Sequence, residues 1–347
     1  MTMLALAMTA LSVIIPRMQT EKKVAWQIAL SNLITDPKEL LELLELDPAL
    51  LPAAKRAAQQ FPLKVPRKFI NRIEKRNPRD PLLLQILPLE NELDVVPGYT
   101  QDPLKENAVN PVPGLLHKYH GRVLVTLTNA CAVHCRYCFR RHFPYAENNP
   151  GTQGWETIFN YIKQDASITE VILSGGDPLS VNDALLKKFT DQLSTIPHIK
   201  YLRIHTRLLI VMPERVTDAL IAWAKQLSLH LVIVVHANHP NEINDDVTCA
   251  LQTLRDAGIT LLNQSALLKN VNDNAETLIS LSEQLYAAGV LPYYLHALDK
   301  VQGAAHFDMT MEKARHVHKT MQETLPGYLV PKLVFEEPGE MHKILIM

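Results

Sequence analysis

The stretch Arg122-Val-Leu-Val-Thr-Leu-Thr-Asn-Ala-Cys131-Ala-Val-His-Cys135-Arg-Tyr-Cys138 sets an apolar run directly against three cysteines. Val123 to Thr128 reads as a strand, and the cysteines open the loop that follows it. Three of the four cysteines in 347 residues lie here. A disulfide scaffold would spread more cysteines through a shorter chain. Clustered thiols in a long chain point instead to a metal or iron–sulfur centre and to a reducing compartment. At C-x3-C-x2-C spacing, three thiolates can hold three irons of a four-iron cluster and leave the fourth iron open to an exogenous ligand. Zinc is the competing occupant, with His134 or His142 as fourth donor. Structural zinc sites usually present two separated ligand pairs, and no second pair exists here. The leftover Cys249 falls in an expected helix and reads as structural.

Working outward, the strand-then-helix pattern repeats. Strands are expected at Glu170–Ser174, Tyr201–His205, Leu229–Val235, Thr260–Asn263 and Leu291–Leu295, with helices between them marked by Leu185, Leu186, Phe189 and Leu193 at helical spacing. Six strand–helix units predict an α/β fold, a partial (β/α)6 parallel barrel with right-handed crossovers. Such barrels carry chemistry at the C-terminal strand ends. Those ends read Ser174-Gly175-Gly176-Asp177-Pro178, His205-Thr206-Arg207, His236 to Glu242, Asn263-Gln264-Ser265 and His296 to Asp299. A packed core needs none of these polar groups.

Residues 1–100 read as a helical region. Asp36, Pro37 and Glu39 form a capping-box arrangement before Leu40, Leu41, Leu43 and Leu44. A second helix is expected after Pro66. Pro88 to Pro113 is rich in proline, and residues 101–121 are expected to be a linker into a core at 122–307, with 308–347 as a C-terminal helix and tail. The apolar run from Met3 to Ile15 has no basic residue before it and no small-x-small site after it, so a packed or frayed tail is expected over a signal peptide. It is also too short to span a bilayer. A formal net charge of −1 offers nothing to nucleic acid or an anionic membrane. A soluble cytoplasmic protein is expected.

Further segments carry a resemblance. Cys138-Phe-Arg-Arg-His-Phe-Pro-Tyr145, Leu173-Ser-Gly-Gly-Asp-Pro-Leu179, Asn263-Gln-Ser265, Val271-Asn-Asp273 and Gly327-Tyr-Leu-Val-Pro331 resemble the lysine 2,3-aminomutase family of radical S-adenosylmethionine (SAM) enzymes. The likeness runs from about Val65 onward. Pro113-Gly-Leu-Leu-His-Lys-Tyr119 and the segment Tyr293 to Phe307 are most similar to its shorter bacterial branch, which supplies (R)-β-lysine for modifying elongation factor P.

The resemblance implies a radical SAM barrel with a C-terminal pyridoxal 5′-phosphate (PLP) segment. It implies a [4Fe–4S] cluster on Cys131, Cys135 and Cys138, and SAM contacts from Ser174, Gly175, Gly176 and Asp177. It places the PLP lysine at Lys343, beyond Pro338-Gly339. Chemistry alone leaves Lys332 equally open. Arg122 would help position PLP. Arg140 would pair with the substrate carboxylate, for which a guanidinium fork is suited. Asp299 and Glu336 would hold the distal ammonium of L-lysine, Glu336 standing where long-chain relatives have aspartate. In the implied reaction a deoxyadenosyl radical removes hydrogen from the β-carbon and the amino nitrogen migrates from C2 to C3. The implied partners are a reducing electron donor, elongation factor P and the ligase that attaches β-lysine. Two other readings remain: a free-standing aminomutase unconnected to elongation factor P, and a zinc-dependent interaction module.

Overall fold

The computed structural model describes residues 24–148 and 150–347. The apolar run from Met3 to Ile15 lies outside the described residues. Five helices come first: α1 (Ala25–Ser31), α2 (Pro37–Leu43), α3 (Leu51–Gln60), α4 (Arg67–Ile70) and α5 (Pro81–Leu84). Asp36 caps α2 as expected, its carboxylate accepting the Lys38 N–H at 2.9 Å with Pro37 in the first turn. Glu39 does not complete the box. It takes Arg67 at 2.6 Å instead, because an arginine outcompetes a backbone N–H for an exposed carboxylate. Leu40, Leu41 and Leu44 are buried, while Leu43 stands out to solvent.

One sheet of nine strands forms the rest, hydrogen-bonded in chain order: β1 (Leu115–Tyr119), β2 (Arg122–Thr126), β3 (Glu170–Ser174), β4 (Tyr201–Thr206), β5 (His230–Val235), β6 (Thr260–Ala266), β7 (Leu291–His296), β8 (Lys332–Phe335) and β9 (Ile344–Leu345). β2 to β8 are mutually parallel, and β1 and β9 flank them antiparallel. The crossovers carry α6 (Gly151–Gln164), α7 (Asp183–Leu193), the short α8 (Leu208–Val211) with α9 (Asp218–Gln226), α10 (Asp245–Asp256), α11 (Ala275–Ala287) and α12 (Met311–Thr324). The six expected strand–helix units are all present. Two features extend them. β1 forms inside the stretch expected to be linker, as the first arm of a hairpin whose turn is His120-Gly121. β8 forms in the expected tail and continues the parallel sheet. β1 carries His117 and Lys118 beside the proline-rich stretch, and β8 has only four residues, so neither shows a clear strand pattern.

Side chains alternate across the sheet with period two. Val123, Val125, Val171, Leu173, Leu202 and Ile204 share a buried cluster with Trp155, Ile158 and Phe159 of α6 and Leu186 and Phe189 of α7. Each such side chain stabilises the fold by about 1.5–3 kcal/mol. The residues between them, Arg122, Leu124, Ile172, Ser174, Arg203 and His205, face a cavity instead. The sheet therefore curls around a hollow, and its polar inner face is where ligands fit.

The curl brings the two ends of the sheet together. Lys118 on β1 and the Tyr119 hydroxyl donate to the same Glu336 oxygen, just past β8, at 2.8 and 2.9 Å. The strand stagger of a closing barrel is what sets the start of β2 level with the far end of β8. The proline-rich stretch is also tied down. The Thr100 N–H donates to Lys300 O, the Gln302 N–H donates to Thr100 O, and the Tyr99 hydroxyl donates to Asp308.

Candidate active site

Cys131, Cys135 and Cys138 are free thiols in the loop after β2, and all three line the central cavity of about 600 Å3. The loop is braced from two directions. The Gly176 and Asp177 N–H groups donate to Thr128 O and Ala130 O from the β3 side. From the helical region, Lys64 O accepts His134 N–H and Gln85 O accepts Arg136 N–H. Arg136 is fully buried and forks onto Glu92, which Arg141 also reaches at 2.7 Å. The N-terminal helices thus act as a mould for the cysteine loop. Burial raises the Cys131, Cys135 and Cys138 thiols, Cys138 to about 11, and the neighbouring thiols add to it at Cys131 and Cys138. Thiols in that state need a cationic centre to ionise against. Among the described residues no three His, Cys, Asp or Glu side chains converge as ligands of a single ion. A cubane gives each thiolate its own iron, so the three-cysteine set suits a cluster better than zinc.

Ser174-Gly175-Gly176-Asp177 lines the same cavity. Its glycines are required by the fold itself. Gly175 has φ +104°, and a Cβ on Gly176 would sit 2.5 Å from Thr128 O and 2.8 Å from Ala130 O. Asp177 is spent on the scaffold as well: its carboxylate accepts from the Thr206 hydroxyl and from the N–H groups of Leu179, Arg207 and Leu208. Several other polar strand ends have the same job. Arg207 donates to Tyr137 and Gln85, and Asn263 and Ser265 hold Ala237. Convergence of polar residues at strand ends marked the site correctly, yet part of it is bracing.

Arg140 is buried beside the cysteine loop. Its Nε and Nη2 fork onto Glu106 at 2.7 and 2.6 Å, and Nη1 donates to Ser174 Oγ at 3.1 Å. Burial alone would lower this guanidinium, but the Glu106 carboxylate outweighs it and raises it. Glu106 was not foreseen. It arrives on a 3-10 turn, Glu106–Val109, in the proline-rich stretch, where Asp102 accepts its N–H at 2.8 Å. An acid in such a stretch gives no periodic signal.

Asp299 and Glu336 follow β7 and β8. Burial first, then the Glu336 charge, pushes the Asp299 carboxyl up to about 7. Burial would push Glu336 up too, but Lys343 and Lys118 overcome it and hold that carboxyl below its ordinary range. Lys343 is paired with Glu336 and lies 5.7 Å from the Tyr294 ring centre. Lys332 opens β8 on its exposed side and does not line this cavity. The two tail lysines that chemistry left equal are therefore separated by the fold. Arg122 lines the cavity from the start of β2, its guanidinium carbon 5.0 Å from the Tyr119 ring centre. His205 also faces it, with a buried Nε2 that has no hydrogen-bond partner. That orphaned nitrogen, the tail lysine Lys343 and the three free thiols are what a site shaped for bound groups would present. Cys249 is exposed on α10, as a helix residue outside the cavity.

All twelve expected site residues thus meet in one cavity. No helix among the described residues is long and apolar enough to cross a membrane.

Comparison with known proteins agrees. The Radical SAM superfamily matches residues 125–281. An L-lysine 2,3-aminomutase of Escherichia coli (strain K12) is 49% identical over 327 residues, covering 94% of this chain and 95% of that one. L-lysine 2,3-aminomutases of Haemophilus influenzae and Buchnera aphidicola are 48% and 44% identical, covering 92% and 95% of this chain and 95% and 97% of theirs. That family is one of isomerases, and membership implies a [4Fe–4S] cluster, SAM and PLP. This chain belongs to the L-lysine 2,3-aminomutase family within the radical SAM superfamily.

Proposed function

We propose that this chain converts L-α-lysine to (R)-β-lysine with PLP, and that the product serves the β-lysyl modification of elongation factor P through a separate ligase. The observation that carries the reading is the cavity itself. It joins three free thiols, the buried Arg140 guanidinium, the Asp299 and Glu336 carboxyls of unlike charge state and the tail lysine Lys343.

When bound, the cluster and SAM supply a carbon-centred radical, and PLP delocalises the unpaired electron during nitrogen migration. The chain supplies the rest. Cys131, Cys135 and Cys138 hold three irons. Lys343 offers its amine to the PLP carbonyl, with Glu336 holding it in place, and Arg122 lies on the wall that PLP would share. Arg140 takes the substrate carboxylate. Asp299 takes the distal ammonium, with Glu336 beside it. The segment Ser174 to Asp177, which lines the cavity, would border SAM. The enclosing sheet keeps water and side reactions from the radical. A reducing compartment, the cytoplasm, and a low-potential electron donor complete the requirements.

The test is anaerobic incubation of reconstituted protein with SAM, PLP, reductant and L-lysine, followed by chiral analysis of the products. (R)-β-lysine is expected. If no amino group moves, the reading fails; if the S isomer forms, the proposed link to elongation factor P fails with it.

A further inference from the structure

Arg140 has five N–H donors, and the structure accounts for three of them. Nε and one N–H of Nη2 go to Glu106, and one N–H of Nη1 goes to Ser174. One N–H therefore remains on each terminal nitrogen to donate to a second carboxylate. A planar guanidinium gripped along one edge cannot rotate, so the direction of its other edge is fixed. Both partners are nearly out of solvent, with side-chain exposures of 8% and 9%. The Phe139 ring lies 4.8 Å from the guanidinium carbon and closes a third side. The grip comes from outside the barrel strands, on the proline-rich arm, whose own anchors are the Thr100 and Gln302 backbone bonds and the Asp102 turn.

We propose that Glu106 is the positioning residue for Arg140: it fixes the guanidinium so that its free edge meets the substrate carboxylate. The inference rests on the reading of Arg140 as the carboxylate site. It gives the proline-rich stretch a function, since that arm delivers the acid that aims the arginine. Glu106 does not itself touch the reacting atoms. Without it the guanidinium would remain charged but would swing, and a misplaced fork loses much of its value.

The test uses protein loaded with cluster, SAM and PLP, without reductant, so that nothing turns over. Binding of L-lysine and of L-lysinamide, which lacks the carboxylate, is measured by equilibrium dialysis, with iron content as a control on the fold. Glu106→Gln should weaken L-lysine roughly tenfold or more, while lysinamide affinity and iron content stay as they were. Glu106→Asp keeps the charge but draws it back by one carbon. It should lie between the two, and it serves the same comparison if glutamine unsettles the arm. Arg140→Met should erase the preference for lysine over lysinamide, and adding Glu106→Gln to it should change nothing further. L-lysine binding that is unchanged or tighter in Glu106→Gln, with Arg140→Met still erasing the preference, overturns the inference. It would mean that Glu106 is a bystander, or a placeholder that the substrate displaces. If Arg140→Met itself keeps the preference, the reading of Arg140 is what fails.

Discussion

Asn in place of Asp299 should make the protein more stable at neutral pH and flatten the pH dependence of its lysine binding. Burial and the Glu336 charge move this carboxyl from 3.8 to about 7. A shift of about 3 units amounts to about 4 kcal/mol when the group is ionised, and water reaching the cavity makes that the ceiling. The sign follows from which state holds the proton. Below 3.8 both folded and unfolded chains are protonated and nothing is lost. Between 3.8 and about 7 the folded chain keeps a proton that the unfolded chain has released, so stability falls as pH rises through that window. Above it the full cost remains. Lysine reverses the balance, because its distal ammonium restores the carboxylate. Below pH 7 binding must therefore expel a proton, and L-lysine affinity should fall toward about tenfold per pH unit. Asp299→Asn removes both effects and leaves the ammonium with a weaker, neutral acceptor. Denaturant unfolding at pH 5 and pH 8, and dialysis against labelled L-lysine over the same range, measure the two halves. A variant no more stable than the parent at pH 8, with an unaltered slope of lysine affinity below pH 7, would refute the reasoning.

Three other outcomes are expected. Lys343→Ala should abolish the borohydride-trapped PLP adduct, whereas Lys332→Ala, on the outer side of β8, should retain it; mass spectrometry of the trapped protein decides. Replacing Cys131, Cys135 or Cys138 by alanine should remove the brown colour and most of the iron, and Cys249→Ala should do neither; full iron content in any of the first three removes that cysteine from the ligand set. Gly176→Ala drives a methyl group to 2.5 Å from Thr128 O, so the cysteine loop must shift. Iron loading should drop at a stability cost of about 1–3 kcal/mol, and normal loading with an unchanged melting curve would show that the loop yields freely.

Much of the site could be read from contiguous sequence. The cysteine spacing, the strand before it and the strand–helix repeats all lie within a few residues of one another. Their periodicity reflects local backbone geometry. Other signals also have a structural part. A side chain on Gly176 would meet the cysteine-loop backbone, and one on Gly175 would meet the Thr126 side chain. Asp177, expected to border SAM, also ties β3 to β4 and α8. A glycine or an acid looks the same in sequence whether its neighbour is a ligand or another loop. β1 was missed because it ends a proline-rich stretch and carries His117 and Lys118 among its five residues, and β8 because its four residues lie in a segment read as tail.

By itself the sequence determined that this chain builds a parallel α/β barrel with three thiols at the mouth of its first parallel strand. Those features are written in neighbouring residues and need only local sterics and burial to be realised. Only the tertiary structure decided that Lys343 rather than Lys332 enters the cavity, that Glu106 grips Arg140, and that Lys118 meets Glu336 across 218 positions of chain. Those pairings follow from how far the sheet curls and how its strands stagger, which is the summed effect of every packed side chain and is carried by no single segment.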